Sequence, residues 1–150
     1  MPLPSSQADS PPAGATLTLA VANALEALRE TSAAVRQFAA REQLGERVAF
    51  KLDLVLEEML MNRIEHAFAP GERRSTQVRL AVRPDAVVLE FEDDGVPFDP
   101  LQAAAPAVPA SLQEARVGGL GLLLTRKAAR ECRYERRAGR NVFTVVLDRE

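Results

Sequence analysis

Apolar residues recur along the chain with two different periods, and the switches between them divide it into elements. The run ATLTLAV, residues 15–21, alternates and is rich in β-formers, which predicts a first strand. Residues 23–44, NALEALRETSAAVRQFAAREQL, are dense in Ala, Leu, Glu and Arg and predict a helix ending near Gly45. A second helix is expected over Val48 to Phe68, a stretch without Gly or Pro that APGERR then stops. TQVRLAV, AVVLEFED, CRYERR and NVFTVVL predict four further strands, with hairpin turns at Pro84-Asp85 and Ala138-Gly139. Between the two strand pairs, residues 100–121 are Ala/Pro-rich and then Gly-rich, and run into a short helix LLLTRKAAR. Helices and strands segregate rather than alternate. The fold class is therefore α+β: a two-layer α/β sandwich whose mostly antiparallel, mixed sheet is covered on one face by helices.

Length and composition narrow the picture. One hundred and fifty residues, 47% of them hydrophobic, suit one domain with a real core, assigned to residues 15–150. Residues 1–14 contain four prolines, three serines and a glycine and read as a flexible tail. A net charge of -2 gives no electrostatic reason to expect nucleic acid as a partner. Seven cations between Arg126 and Arg140 read as a solvated face or a protein-docking surface, since Tyr134 is the only aromatic among them. The single cysteine, Cys132, and single histidine, His66, rule out an internal disulfide and a Cys/His zinc cage. With no secretory leader and no apolar run long enough for a membrane span, the expected location is the cytoplasm.

The chemistry concentrates in three stretches. In LEEMLMNRIEHAF, residues 56–68, helical spacing gathers Leu56, Met59, Leu60 and Ile64 into an apolar stripe and puts Glu58, Asn62, Glu65 and His66 on the other side. Such a polar face is most often merely solvated. Arg63 is awkward on either reading, because it projects into the stripe and must snorkel out or find a partner. In FEDDGVPFDP, Asp93 ends a strand two residues before Gly95, placed to accept from an exocyclic amine. In RVGGLGLLLTRK, Gly118, Gly119 and Gly121 open a helix whose unpaired amides and positive dipole end suit a phosphate chain. No Gly-Lys-Ser/Thr follows the glycines and no strand precedes them, so neither a P-loop nor a dinucleotide fingerprint fits.

Glu58-x-x-x-Asn62 with His66, Asp93-x-Gly95 followed by Pro97-Phe98-Asp99-Pro100, and Gly119-Leu120-Gly121 together resemble the successive boxes of the Bergerat-type ATPases. The stretches EEMLMNRIEHAF, DDGVPFDP and GGLGLLLTRKAARECRYERRAGRNVFTVVL are similar to those of the small anti-sigma-factor serine/threonine kinases of the RsbW/SpoIIAB type, over Ala15 to Leu147. The resemblance implies the Bergerat ATP-binding fold, with ATP and Mg²⁺ as cofactors. Asn62 would ligate the metal. Asp93 would accept from the adenine amine, Gly95 would let the base approach, and Thr144 on the last strand would lie near it. Gly118, Gly119, Leu120 and Gly121 would face the phosphates, and Pro97, standing where the wider box repeats a glycine, belongs to the same nucleotide site. Glu58 would be the general base of phosphoryl transfer.

The loop 101–117 would be the ATP lid, with Arg116 near a terminal phosphate and His66 a structural residue. The implied partners are a sigma factor and a STAS-domain antagonist that the kinase phosphorylates, with homodimerisation open and neither nucleic acid nor membrane involved. Two alternatives stand beside this: a nucleotide-binding switch module without useful kinase activity, and the catalytic half of a histidine kinase. Arg63 departs from the pattern, occupying a position where a small or apolar residue is usual.

Overall fold

The computed structural model describes residues 14–63, 74–102 and 120–150. Five strands, β1 (Thr16–Ala22), β2 (Ser75–Val82), β3 (Ala86–Asp93), β4 (Glu131–Arg137) and β5 (Arg140–Asp148), form one sheet in the order β1-β2-β3-β5-β4. Every pairing is antiparallel. Three helices, α1 (Leu25–Arg41), α2 (Glu46–Asn62) and α3 (Leu120–Ala128), complete the described elements, with a short 3-10 turn at Pro100–Gln102. α1 packs on α2 and on β1, and α3 lies against α2. No described helix is long and apolar enough to cross a membrane.

Strand alternation places the core. Val78 and Leu80 of β2, Val87, Leu89 and Phe91 of β3, and Phe143, Val145 and Leu147 of β5 share one face of the sheet. There they join Val35 and Phe38 of α1 and Leu52, Val55, Leu56, Met59 and Leu60 of α2 in one buried cluster. The opposite face carries cross-strand charge pairs: Arg79 bonds Glu90, and reaches Glu92 at 3.0 Å. At 3.5 Å from Glu92, Arg140 adds a third strand to that network.

The ends of the elements are set by local backbone chemistry. α1 stops at Arg41 instead of continuing to residue 44, because Gln43 turns left-handed at φ 56°. The amides of Gln43 and Leu44 then bond the carbonyls of Ala40 and Ala39, closing the helix end as a Schellman motif. Gly45, expected to end α1, instead precedes α2 as its N-cap, with an ordinary φ of −65°. The β4–β5 hairpin turns through Ala138 at φ 52° and Gly139 at φ 77°, two consecutive left-handed residues of the kind a tight type I′ turn needs. The proposed tail, apart from Gly14, lies outside the described residues.

Phe143 is fully buried at the centre of the helix-facing side. Phe143→Ala should cost about 3–5 kcal/mol in urea denaturation. Phe50 is 71% exposed on α2, and Phe50→Ala should change stability by less than about 0.5 kcal/mol. Similar losses in the two variants would contradict this placement of the core.

Candidate functional site

The apolar helix-facing rows give way to a polar one at the end of the sheet. Register sets Asp93 of β3 opposite Asn141 of β5, and Asn141 opposite Arg136 of β4. Thr76, on the same face of β2, is buried as well. From the helix layer, Arg63 reaches this row from the residue that follows Asn62, still in helical conformation. Asp93 and Arg63 are 0% and 3% exposed.

Asp93 is held from three sides. Its Oδ1 accepts from the Gly95 amide at 2.9 Å and from Asn141 Nδ2 at 3.0 Å. Its Oδ2 lies 3.0 Å from Nε of Arg63, a charge pair whose orientation leaves Oδ2 without a hydrogen bond. Nη1 of Arg63 is also buried and unbonded. Burial pushes the Arg63 guanidinium below its ordinary range, and the Asp93 carboxylate opposes that shift. Arg63 and Thr76 also line a cavity of about 10 Å³, room for about one water.

Asn141 organises the turn that follows β3. Its Oδ1 accepts from the Tyr134 hydroxyl, from Arg136 Nη1 at 3.1 Å and from the Phe98 amide at 3.2 Å. Its Nδ2, besides bonding Asp93, donates to the carbonyl of Val96 at 2.9 Å. Arg136 completes the clasp by donating to the Gly95 carbonyl at 2.9 Å. Asp94, the other acid of the DDG stretch, points outward to Arg74 at 3.0 Å, whose hydrogen bond holds its carboxyl below the usual range.

On α2, Glu58 and Asn62 lie one turn apart and both are half-buried. Asn62 Oδ1 is fully buried and makes no hydrogen bond, an orphaned neutral oxygen of the kind a hard cation takes as a ligand. Among the described residues no group of three or more His, Cys, Asp or Glu is arranged to hold a metal. A single neutral oxygen suits an ion that keeps most of its waters and takes few protein ligands. Because α3 packs on α2, the helix begun by Leu120 and Gly121 neighbours the one carrying Glu58 and Asn62.

The structure thus brings Asp93, Gly95 and the end of α2 together, and it sets Thr144 apart. Thr144 pairs with Glu90 and Arg133, on the face away from the helices, while Asp93 and Asn141 face them. Pro97 belongs to the turn that Asn141 and Arg136 hold and is itself exposed. Gly118, Gly119, His66 and Arg116 lie outside the described residues, as does the 101–117 loop beyond Gln102. Asn141 was not singled out by sequence, and Tyr134 and Arg136 were read only as part of the basic cluster between Arg126 and Arg140. The only signal for Asn141 was a polar residue opening an otherwise apolar strand after a Gly turn.

Comparison with known proteins follows the same lines. Residues 21–147 match the histidine kinase-like ATPase domain family. Serine/threonine-protein kinase BtrW of Bordetella bronchiseptica is 35% identical over 112 residues, 75% of this chain and 79% of that protein. The solved structure of the RsbU and RsbW domains of Rv1364c from Mycobacterium tuberculosis superposes with a TM-score of 0.61 at 18% identity, over 91% of this chain. The present chain spans 33% of that longer one. A chain of the SiaB-SiaC complex from Pseudomonas aeruginosa gives a TM-score of 0.58 at 20% identity, covering 88% of this chain and 89% of that one. At these identities the two structural likenesses establish the fold.

If Asn141 holds the turn after β3, Asn141→Ala should cost about 1–3 kcal/mol in chemical denaturation, since it strips partners from buried polar groups. Hydrogen exchange at the Phe98 amide should accelerate with it. Thr144→Val should leave both measurements within about 0.5 kcal/mol of the parent. An exchange rate at Phe98 unaffected by Asn141→Ala would show that the turn is held by other contacts.

Proposed function

The chain belongs to the histidine kinase-like ATPase domain family, and from that premise we propose that it is an ATP-dependent serine/threonine protein kinase and anti-sigma factor of a bacterial partner-switching system. Its substrate is a small STAS-domain antagonist, and its second partner is a sigma factor. The observation that carries the reading is the pairing on one helix of Glu58 with Asn62, whose buried Oδ1 has no hydrogen bond. The likeness to a protein named as a serine/threonine kinase supports the reaction type.

The proposed mechanism assigns each residue a task. Asp93 Oδ2, the unbonded oxygen of the buried carboxylate, accepts from the adenine amine, and the Gly95 turn lets the ring approach. Gly118, Gly119 and Gly121 offer amides to the phosphate chain. Asn62 Oδ1 contributes the protein's ligand to Mg²⁺, which neutralises charge on the phosphates when bound. Glu58 takes the proton from the acceptor hydroxyl as its oxygen bonds to the γ-phosphorus. The bond from that phosphorus to the β-bridging oxygen breaks, leaving phosphoserine or phosphothreonine and ADP.

A nucleotide-responsive switch without kinase activity is a second reading. On that reading the same residues bind nucleotide and Glu58 does no chemistry.

Two substitutions test these assignments. Asn62→Ala should weaken ATP binding in magnesium by at least about tenfold, or 1.4 kcal/mol, in calorimetric titration. Equal ATP affinity with and without magnesium in the parent would remove the metal assignment. Glu58→Gln keeps size and hydrogen-bonding shape but loses the base, so phosphate transfer from radiolabelled ATP to the antagonist should fall by roughly 10²-fold, with ATP binding retained. Negligible transfer by both parent and variant identifies the switch; equal, rapid transfer by both removes Glu58 from the chemistry.

A further inference from the structure

Where the end of α2 meets the end of β3, a buried donor atom and a buried acceptor atom lie close together, neither with a hydrogen bond. Asp93 Oδ2 makes a charge contact with Arg63 Nε at 3.0 Å but no hydrogen bond, and Arg63 Nη1 has no hydrogen-bond partner. Both side chains are buried, so each idle polar atom carries a desolvation cost that a matched ligand would relieve. A carboxylate oxygen has lone pairs enough to receive a further donor beside the guanidinium, and a guanidinium has N–H groups to spare after one contact. An acceptor next to a donor is the complement of an edge that presents a donor next to an acceptor.

We propose that Arg63 is a specificity-determining residue that reads the purine base together with Asp93: Asp93 Oδ2 accepts from the exocyclic 6-amine, and Arg63 Nη1 donates to the ring nitrogen beside it. Adenine flanks its amine with two such acceptors, N1 and N7, so one base edge satisfies both idle atoms. The inference rests on the reading of Asp93 as the base-binding carboxylate and adds to it a direct side-chain donor from α2. It also gives the guanidinium a role that its position accounts for. A neutral apolar residue at position 63 would leave Asp93 without a countercharge.

The test is calorimetric titration of the full chain, in magnesium, with ATP, 1-deaza-ATP, 7-deaza-ATP and the triphosphate of purine riboside, which lacks the 6-amine. One of the two deaza analogues should bind the parent about tenfold or more weakly than ATP, because it leaves a buried charged donor unpaired. In Arg63→Met the same analogue and ATP should bind within about twofold of each other. Should Arg63→Met fail to fold, Arg63→Lys keeps the cation but cannot hold Asp93 and offer a second planar N–H at once, and it should lose the discrimination likewise.

Equal binding of ATP and both deaza analogues by the parent overturns the inference, as does a discrimination that survives both substitutions. Purine riboside triphosphate separates this from failure of the underlying reading. If it binds the parent as tightly as ATP, Asp93 does not receive the amine. If it binds weakly while both deaza analogues match ATP, Asp93 reads the base and Arg63 does not.

Discussion

A carboxylate buried at the end of β3 ties the sheet to the helix layer. Asp93 has no contact with solvent, and an unpaired charge in that position would cost several kcal/mol. Its compensation comes from three separate parts of the chain: the Gly95 amide in the following turn, Asn141 on β5 and Arg63 at the end of α2. One buried group therefore fixes the turn after β3 and the approach of α2 to the sheet. Asn141 in turn draws in Tyr134, Arg136 and Phe98. Stability alone does not account for the arrangement. Well-packed hydrophobic residues serve as well as or better than a buried ion pair, and here the pair also leaves polar atoms on both partners without hydrogen bonds.

The fold was largely legible because its elements announce themselves by period. The alternation in residues 76–82 and 86–93, and the gap in Gly and Pro through α2, reflect the burial that the structure realises in Val78, Leu80, Leu89 and Phe91 and in Val55, Leu56 and Met59. The end of α1 was not legible in the same way. A glycine two residues downstream drew the expected boundary to Gly45, whereas the backbone reverses at Gln43, a residue with no strong preference for a left-handed conformation. The pairing of the strands, with β5 between β3 and β4, depends on contacts distant in sequence and had no local signature.

The site was legible where backbone chemistry marked it and obscure where strand parity decided. Asp93 and Gly95 stand out because an acid and a glycine end a strand. Thr144 and Asn141 both lie on β5, three residues apart, and therefore on opposite faces. Nothing in NVFTVVL says which face is which. Val142 and Val146 are buried on the outer side as Phe143 and Val145 are on the inner, so the usual contrast of apolar and polar positions is missing from this strand. The register Asp93 to Asn141 resolves it. Arg63 was legible as an anomaly, a cation in an apolar stripe requiring a partner, but its partner lies thirty residues on in another element.

The end of α2 shows why that anomaly and the candidate metal ligand are neighbours in sequence. Consecutive residues on a helix project about 100° apart, so Asn62 and Arg63 cannot serve the same side of a ligand. Arg63 is directed to the polar row of the sheet, where Asp93 ends β3, while Asn62 shares its direction with Glu58, one turn earlier. A single helical turn thereby presents two chemistries, a neutral oxygen with a carboxylate behind it and a cation already engaged with the sheet. If Asp93 and Arg63 receive the base and Asn62 the ion on the phosphates, as proposed, the nucleotide contacts both directions of this one turn. On that proposal a shift of this one turn alters both sets of contacts together, whereas a shift of the sheet alters only those of Asp93.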